Sequence, residues 1–325
     1  MKMTRRHAVL ATAVLAAATC AGVAHAKTYP SKPITIVVSY PPGGDTDIVA
    51  RTLAEKLAAR VGQSVLVDNR PGASGSIGNA YVSNAEPDGH TLLLSPGTLS
   101  SAPVVLKEAV NYDVVNGFTP IMQTGSVPLF LVTAHDTGFN TLKDVVTAAK
   151  SGKKLSYGSP GNGSPMHFVG EMLNKAAGIN ILHVPYRGVA PAVNDLLGSH
   201  LPLAWVPYGP VEGYLKNGRL KVLAVAQPER SPLLADVPTL EELGYKGVNP
   251  MSWQGLLGPK GMSPELVGTL YGHMQEIMKD PAVRARMATI GTEAQAESPE
   301  QLTRSKNASY EMYKRLVQEM NIQAD

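Results

Sequence analysis

Cysteine is all but missing from this chain. Cys20 is the only one, and the Ala17-Ala18-Thr19 before it suits lipoprotein processing badly, so it is expected to leave with an export signal. A mature chain without it forms no disulfide, offers no thiolate nucleophile and binds no metal through sulfur. Such a chain is also suited to an oxidising compartment. Aromatic residues are scarce as well, whereas glycine and proline are frequent without any period. Because apolar runs recur throughout, that mixture reads as many short turns between regular elements, not as disorder.

Net charge is a further shortage. The 29 basic residues exceed the 26 acidic ones by three, and Lys2, Arg5 and Arg6 supply that excess from the extreme N-terminus. The remainder is neutral and lacks the basic surplus of a nucleic-acid binder. Beyond the N-terminal segment no apolar run is long enough to span a membrane. G-x-S-x-G, P-loop and H-E-x-x-H motifs are all absent. His90, His135, His167, His183, His200 and His273 are scattered, with no pair at helical metal-ligand spacing, and no two carboxylates are identifiable as acid and base. No catalytic residue, metal or cofactor is assigned.

What is present starts with an export signal. Met1 to His7 is basic without an acid, Ala8 to Ala24 is almost wholly apolar, and Ala24-His25-Ala26 is a small-x-small cleavage site. Cleavage is expected after Ala26, with a periplasmic mature protein. Thr4-Arg5-Arg6 also starts like a twin-arginine signal, although the apolar pair that should follow is poor. The mature chain of about 300 residues suits two lobes.

Short apolar runs then alternate with amphipathic stretches, the pattern of α/β units around a mainly parallel sheet. Ile34 to Val38 reads as a strand and Asp45 to Arg60 as a helix, with Gly62 just past its end. Further strands are read at Val65–Val67, Thr91–Leu94 and Leu129–Val132, and a helix over Thr141–Lys150. A second unit repeats this grammar. Leu155–Tyr157 enters a loop, Ser164 stands at an N-cap and Pro165 at the first helical position, and Gly178 ends the helix. Ile181–Val184 and Leu220–Val225 follow as strands, with a short helix over Pro191–Leu197. After Trp253 the chain is read as helical: Pro264–Lys279, Pro281–Ile290 and Pro299–Met320.

Four loops carry candidate binding chemistry. Pro41-Pro42-Gly43-Gly44-Asp45-Thr46-Asp47 joins a strand to a helix. Its glycines allow main-chain N–H groups to approach a ligand, and the helix N-terminus adds partial positive charge; a tight turn capped by Asp45 is the plainer alternative. Asp68 to Gly78 is a second glycine-rich strand-to-helix loop, without the dinucleotide spacing. Tyr157 to Ser164 offers hydroxyl, amide and N–H donors at another helix start. In Val184-Pro185-Tyr186-Arg187-Gly188 an aromatic ring and a guanidinium follow a strand, and Arg187 could grip a carboxylate with two hydrogen bonds or serve as an ordinary surface residue.

At these loops the sequence resembles the Bug-type extracytoplasmic receptors of tripartite tricarboxylate transport systems. The similarity runs through Tyr29-Pro30-Ser31-Lys32-Pro33-Ile34, Pro42 to Arg51, Asn69 to Gly75, Pro87 to Leu92, Gly161 to Ser164, Val184 to Gly188, Asp195 to Gly198, Asp236 to Thr239 and Trp253 to Leu256. It implies a bilobal periplasmic-binding fold, with lobe 1 formed by residues 27–128 and 253–325, lobe 2 by 129–252, and a ligand cleft between them. It further implies that first-loop groups at Pro42, Gly43, Gly44, Thr46 and Asp47 hold a ligand carboxylate. Lobe 2 would add Ser159, Gly161, Asn162, Gly163 and Ser164, with Tyr186 and Arg187 beside them. Tyr40, Ser74, Thr98, His167 and Tyr208 complete the candidate set. His167 and Tyr208 have core packing as the competing reading, as does Trp205. Ser39-Tyr40 departs from the proline and bulky residue of many relatives, and Ala204 to Pro210 is unusually rich in aromatics and proline. If Trp205 and Tyr208 line the pocket, its far end is not a citrate-type site.

The implied function is capture of a small aliphatic or aromatic carboxylate by a monomeric receptor and its delivery to membrane permease subunits. Two other readings stay open: a ligand-sensing subunit for a signalling receptor, and a hydrolase acting on small esters or amides.

Overall fold

Two sheets, each flanked by helices, organise the computed structural model, which describes residues 29–107, 110–249 and 252–320. The expected export signal and its cleavage site lie outside the described residues. By its contacts the chain divides into Met1–Ser31 and Lys32–Asp325; of the first unit only residues 29–31 are described, and the architecture below belongs to the second.

In chain order the strands are β1 Ile34–Val38, β2 Val65–Asn69, β3 Thr91–Pro96, β4 Phe118–Ser126, β5 Leu129–Ala134, β6 Ser156–Ser159, β7 Leu182–Pro185, β8 Leu203–Val206, β9 Leu220–Ala226, β10 Trp253–Pro259 and β11 Glu293–Glu297. The helices are α1 Asp45–Val61, α2 Ser76–Ser83, α3 Thr98–Leu106, α4 Leu142–Lys150, α5 Pro165–Ala177, α6 Val189–Leu197, α7 Glu212–Lys216, α8 Pro264–Lys279, α9 Pro281–Thr289 and α10 Pro299–Met320. The first sheet has the order β11-β4-β10-β3-β1-β2 and the second β7-β6-β8-β5-β9. The chain therefore leaves the first sheet after Ser126, enters the second at Leu129, and returns between Ala226 and Trp253. These are the two connections between the lobes.

Local chemistry accounts for most of these elements. β1 is apolar but for Thr35 and has parallel neighbours on both sides, β2 and β3, as expected of a strand covered on both faces. α1 buries Val49, Ala50, Leu53, Ala54 and Leu57 along one face, and Gly62 ends it in the left-handed region at φ 68°. The Ser164 hydroxyl accepts the His167 N–H at 3.2 Å, Pro165 opens α5, and Gly178 closes it at φ 61°. α4 starts with a reciprocal capping box between Thr141 and Asp144.

Two expectations need correction. The sheets are mixed, not mainly parallel. β10 runs antiparallel to both β3 and β4, β11 to β4, and β5 to both β8 and β9. The strands entered directly from the connections, β5 and β10, are laid against the direction of their neighbours. In addition, Trp253–Pro259 is not a lead-in to helix but β10, a fully buried strand near the centre of the first sheet. Its two glycines and terminal proline disguise it. Gly255 is needed because a Cβ there would come within 2.7 Å of the Leu302 side chain on α10, so the helix packs directly on the strand's backbone.

The lobes also touch away from the connections. Phe168 of α5 meets Tyr313 of α10 at a ring-centroid distance of 4.4 Å, and Val105 of α3 completes this small core. On another side, the Gly209 N–H donates to the Ile290 carbonyl at 3.1 Å.

Candidate functional site

The carboxyl ends of β1, β3 and β6 point their loops into the space between the lobes, where ligands of open α/β sheets are expected. Two neighbouring cavities occupy that space. The outer one, about 650 Å³, is lined from lobe 1 by Tyr40, Pro41 and residues 71–75 and from lobe 2 by residues 160–162 and 185–187. The inner one, about 40 Å³, is bounded by Tyr40, Asp45, Thr46, Thr98, Pro160, Met166, Val189 and the connection residues Val127 and Ser252, among others. Tyr40 and Pro160 belong to both walls, so the two form one cleft with a narrow inner end.

The first loop is braced from behind by Asp47. Its Oδ2 accepts the Gly43 N–H and the Arg51 Nε–H, each at 3.0 Å, and its Oδ1 accepts from Asn69 Nδ2 at 2.9 Å. Burial alone would raise this carboxyl's pKa; the Arg51 hydrogen bond and charge, with the Gly43 and Asn69 bonds, hold it below the usual carboxylate range. Asn69 also donates to the Tyr40 carbonyl at 3.1 Å. Asp47 is thus buried, lines neither cavity and serves the loop as a brace. Pro42, Gly43 and Gly44 likewise line neither cavity; they form the outside of the turn.

Asp45, which the sequence reading passed over as a cap, is the residue this loop turns inward. It is the first residue of α1 and lines the inner cavity. Burial raises its carboxyl pKa, opposed by hydrogen bonds from the N–H groups of Thr46 and of Asp45 itself. The available clue was positional: a carboxylate at the first helical residue sits where main-chain N–H groups would otherwise meet an anion. Thr46, beside it, accepts the Gln254 Nε2–H at 3.2 Å, which ties α1 to β10. Burial also raises the Tyr40 hydroxyl pKa, and this hydroxyl donates to the Ser74 carbonyl at 3.3 Å.

The second lobe-1 loop crosses the cleft. Ala73 and Ser74 take left-handed backbone angles, φ 45° and 51°, and the Ser74 hydroxyl donates to the Asn162 carbonyl of lobe 2 at 2.6 Å. Gly161 accommodates this approach. Its φ is 141°, and a Cβ there would lie 2.6 Å from Ser74 Oγ.

Behind the lobe-2 loop lies a polar network that sequence spacing concealed. Ser159 Oγ is 2.7 Å from His183 Nε2 and accepts the Gly161 N–H at 3.2 Å; Ser164 Oγ donates to it at 3.4 Å. His167 Nδ1 accepts the Gly163 N–H at 3.2 Å, and the rings of His167 and His183 stack at 3.9 Å, 10° from parallel. Burial, with His167 alongside, depresses the His183 pKa to about 3. Ser159, Gly163, Ser164 and His167 therefore support the cleft wall and line neither cavity. Gly161, Asn162, Tyr186 and Arg187 do line the outer cavity. The Tyr186 hydroxyl donates to Asp195 Oδ2 at 2.7 Å, and burial and Asp195 push its pKa up to about 12. Arg187 is exposed at the mouth.

Tyr208 lines neither cavity and takes the core position that was its competing reading. It is 8% exposed, packs edge-on to Phe130 at 6.3 Å in the lobe-2 core, and presses against Gly291 of lobe 1. Trp205 is likewise core. Neither ring lines the two cavities, so the condition on which the far end was expected to differ from a citrate-type site is not met; large aromatic rings bury more readily in a core than they line a wet cleft.

Among the described residues, no three His, Cys, Asp or Glu side chains gather into a metal-binding group, and no helix is long and apolar enough to cross a membrane. Comparison with known proteins agrees with the geometry. The chain is 35% identical over 306 residues to the protein BugT of Bordetella pertussis, covering 93% of each. Its fold matches that of the periplasmic binding protein BugD with a TM-score of 0.85 and 34% identity, over 91% of this chain and all of that one. It also matches MatC from Rhodopseudomonas palustris with bound malate, at a TM-score of 0.82 and 26% identity, over 89% of this chain and all of that one. Residues 49–322 fit the model of the tripartite tricarboxylate transporter family receptor. A bilobal fold, a cleft walled by loops of both lobes and a family match over most of the length lead to one conclusion: this chain belongs to the tripartite tricarboxylate transporter receptor family of periplasmic solute-binding proteins.

Proposed function

We propose that this protein is exported to the periplasm, captures a small carboxylate in the inter-lobe cleft as a monomer, and delivers it to the permease subunits of a tripartite transporter. The observation that carries this reading is the cleft itself: a narrow inner end and a wider mouth, each walled by residues of both lobes. Such a site is completed only when the lobes meet, so ligand binding and lobe closure are one equilibrium, driven by differential affinity for the closed form. The malate of MatC supports the carboxylate class. The Asn162 side-chain amide and the Arg187 guanidinium, both lining the outer cavity, are donors available to such a group.

A hydrolase would need a nucleophile with a base in reach. The pair that comes nearest, Ser159 and His183, is unsuited to it. Ser159 is fully buried behind the wall, and its hydroxyl is already engaged with Gly161 and Ser164.

The test is to unfold the mature protein, wash away co-purified metabolite, refold it and screen its melting temperature against a panel of carboxylates. A ligand at about a thousand times its Kd adds roughly 4 kcal/mol of stability, a shift of several degrees. One chemical class should respond, with the compound recovered unchanged. Consumption of a compound would replace the receptor reading with an enzymatic one.

A further inference from the structure

The charged groups of the cleft are few and unevenly placed. Among the described residues that line its two cavities, Asp45 and Arg187 alone carry charge. Arg187 stands at the solvent-exposed mouth. Asp45 is at the inner end, beside Thr46, Thr98 and Ser252, and forms no ion pair there among the described residues. Its partners are its own N–H and that of Thr46. The first turn of α1, a ready site for an anion, thus already carries the protein's own carboxylate on the cavity wall. A ligand carboxylate brought to this point would meet a like charge at close range, whereas an ammonium would meet an opposite one. The side-chain oxygen of Asn162, buried and without a donor, adds another acceptor to the cleft wall.

Resting on the receptor reading above, we infer that the ligand is an amine-bearing carboxylate, its positively charged nitrogen held by Asp45 at the inner end and its carboxylate directed toward Arg187 and the loops at the mouth. Asp45 is then the specificity-determining residue of the cleft, excluding plain dicarboxylates of the same size. Burial without a neighbouring cation raises its carboxyl pKa, and an ammonium in contact with it would favour the ionised form again.

The experiment uses matched pairs that differ only in the amine: aspartate and succinate, glutamate and glutarate, 2-aminoadipate and adipate, anthranilate and benzoate. Affinities are measured by calorimetry on refolded wild-type protein and on Asp45→Asn, which keeps the shape and removes the charge. In at least one pair the wild type should favour the amine-bearing member by about 10- to 100-fold, the worth of a hydrogen bond to a charged group. Asp45→Asn should erase that preference while still binding the amine-free partner. The wild-type ratio needs no variant, so a poorly folding Asp45→Asn leaves the test intact. Wild-type preference for the amine-free member of every pair that binds overturns this inference and leaves the receptor reading standing. Failure of the wild type to bind any member of either series overturns both.

Discussion

Replacing Gly161 with alanine should weaken ligand binding through a contact made only when the lobes meet. Two effects of the substitution can be separated. At φ 141° an alanine is strained wherever the lobes stand, and such a residue costs about 1–3 kcal/mol of stability. The new Cβ would in addition lie 2.6 Å from Ser74 Oγ, with Tyr186 O at 3.4 Å and Ser74 Cβ at 3.8 Å the next nearest atoms. Only the first of these distances is prohibitive, and it belongs to the opposite lobe. Overpacking of this kind costs about 1–3 kcal/mol, and because it falls on the closed form alone it should raise the Kd by about 5- to 150-fold. Ser74→Ala removes the offending oxygen and also the 2.6 Å hydrogen bond to the Asn162 carbonyl, which should raise the Kd by about 2- to 10-fold. In the Ser74→Ala background, adding Gly161→Ala should then change affinity little, while the ligand-free melting temperature falls by the same amount in both backgrounds. Calorimetric Kd values and ligand-free melts of the four proteins complete the cycle. An equal affinity loss with and without Ser74 Oγ would refute the reasoning, since the loss would then come from loop strain.

Other outcomes follow from groups described above. Burial raises the Asp45 pKa, so the native state holds its proton to higher pH than the unfolded chain does, and stability is lost as pH rises from about 4 through the folded value. Asp45→Asn should therefore melt higher than wild type at neutral pH without ligand, and equal melting temperatures across the pH range would count against the buried carboxyl. His183 has the opposite shift. With its pKa lowered to about 3, the unfolded chain takes up its proton first, so stability should fall as pH drops from about 6.5 toward 3, by at most about 1.4 kcal/mol per pH unit. His183→Gln should flatten that slope in denaturant titrations. Phe168→Ala empties the small core shared with Tyr313 and should cost about 3–5 kcal/mol of stability, whereas a loss under 1 kcal/mol in urea melts would mean the two helices do not depend on this contact.

Much of the fold was legible because local rules and packing agree. The Ser164-Pro165 start and Gly178 end of α5, the Gly62 end of α1 and the apolar run of β1 are each set by near neighbours, and tertiary contacts reinforce them. β10 was illegible for a physical reason. Gly255 reads as a loop residue until Leu302, far along the chain, is brought against it. The direction of β5 and β10 was equally hidden, because apolar runs pair parallel or antiparallel with the same composition.

The same division applies to the site. Strand–loop–helix order placed Tyr40, Ser74, Asn162 and Arg187 near a cleft, since those loops emerge where their strands end. Which side chains face it was settled by packing. Asp45 and Asp47 stand two residues apart at one helix start, yet the first turns into the cavity while Arg51, Asn69 and the Gly43 N–H hold the second behind the loop. Likewise His167 and His183 become a stacked pair only when α5 is laid beside β7. Residue type and near spacing suffice for elements closed by neighbouring hydrogen bonds; a cleft between two lobes is closed by groups far apart in the chain, and their facing is a property of the folded molecule.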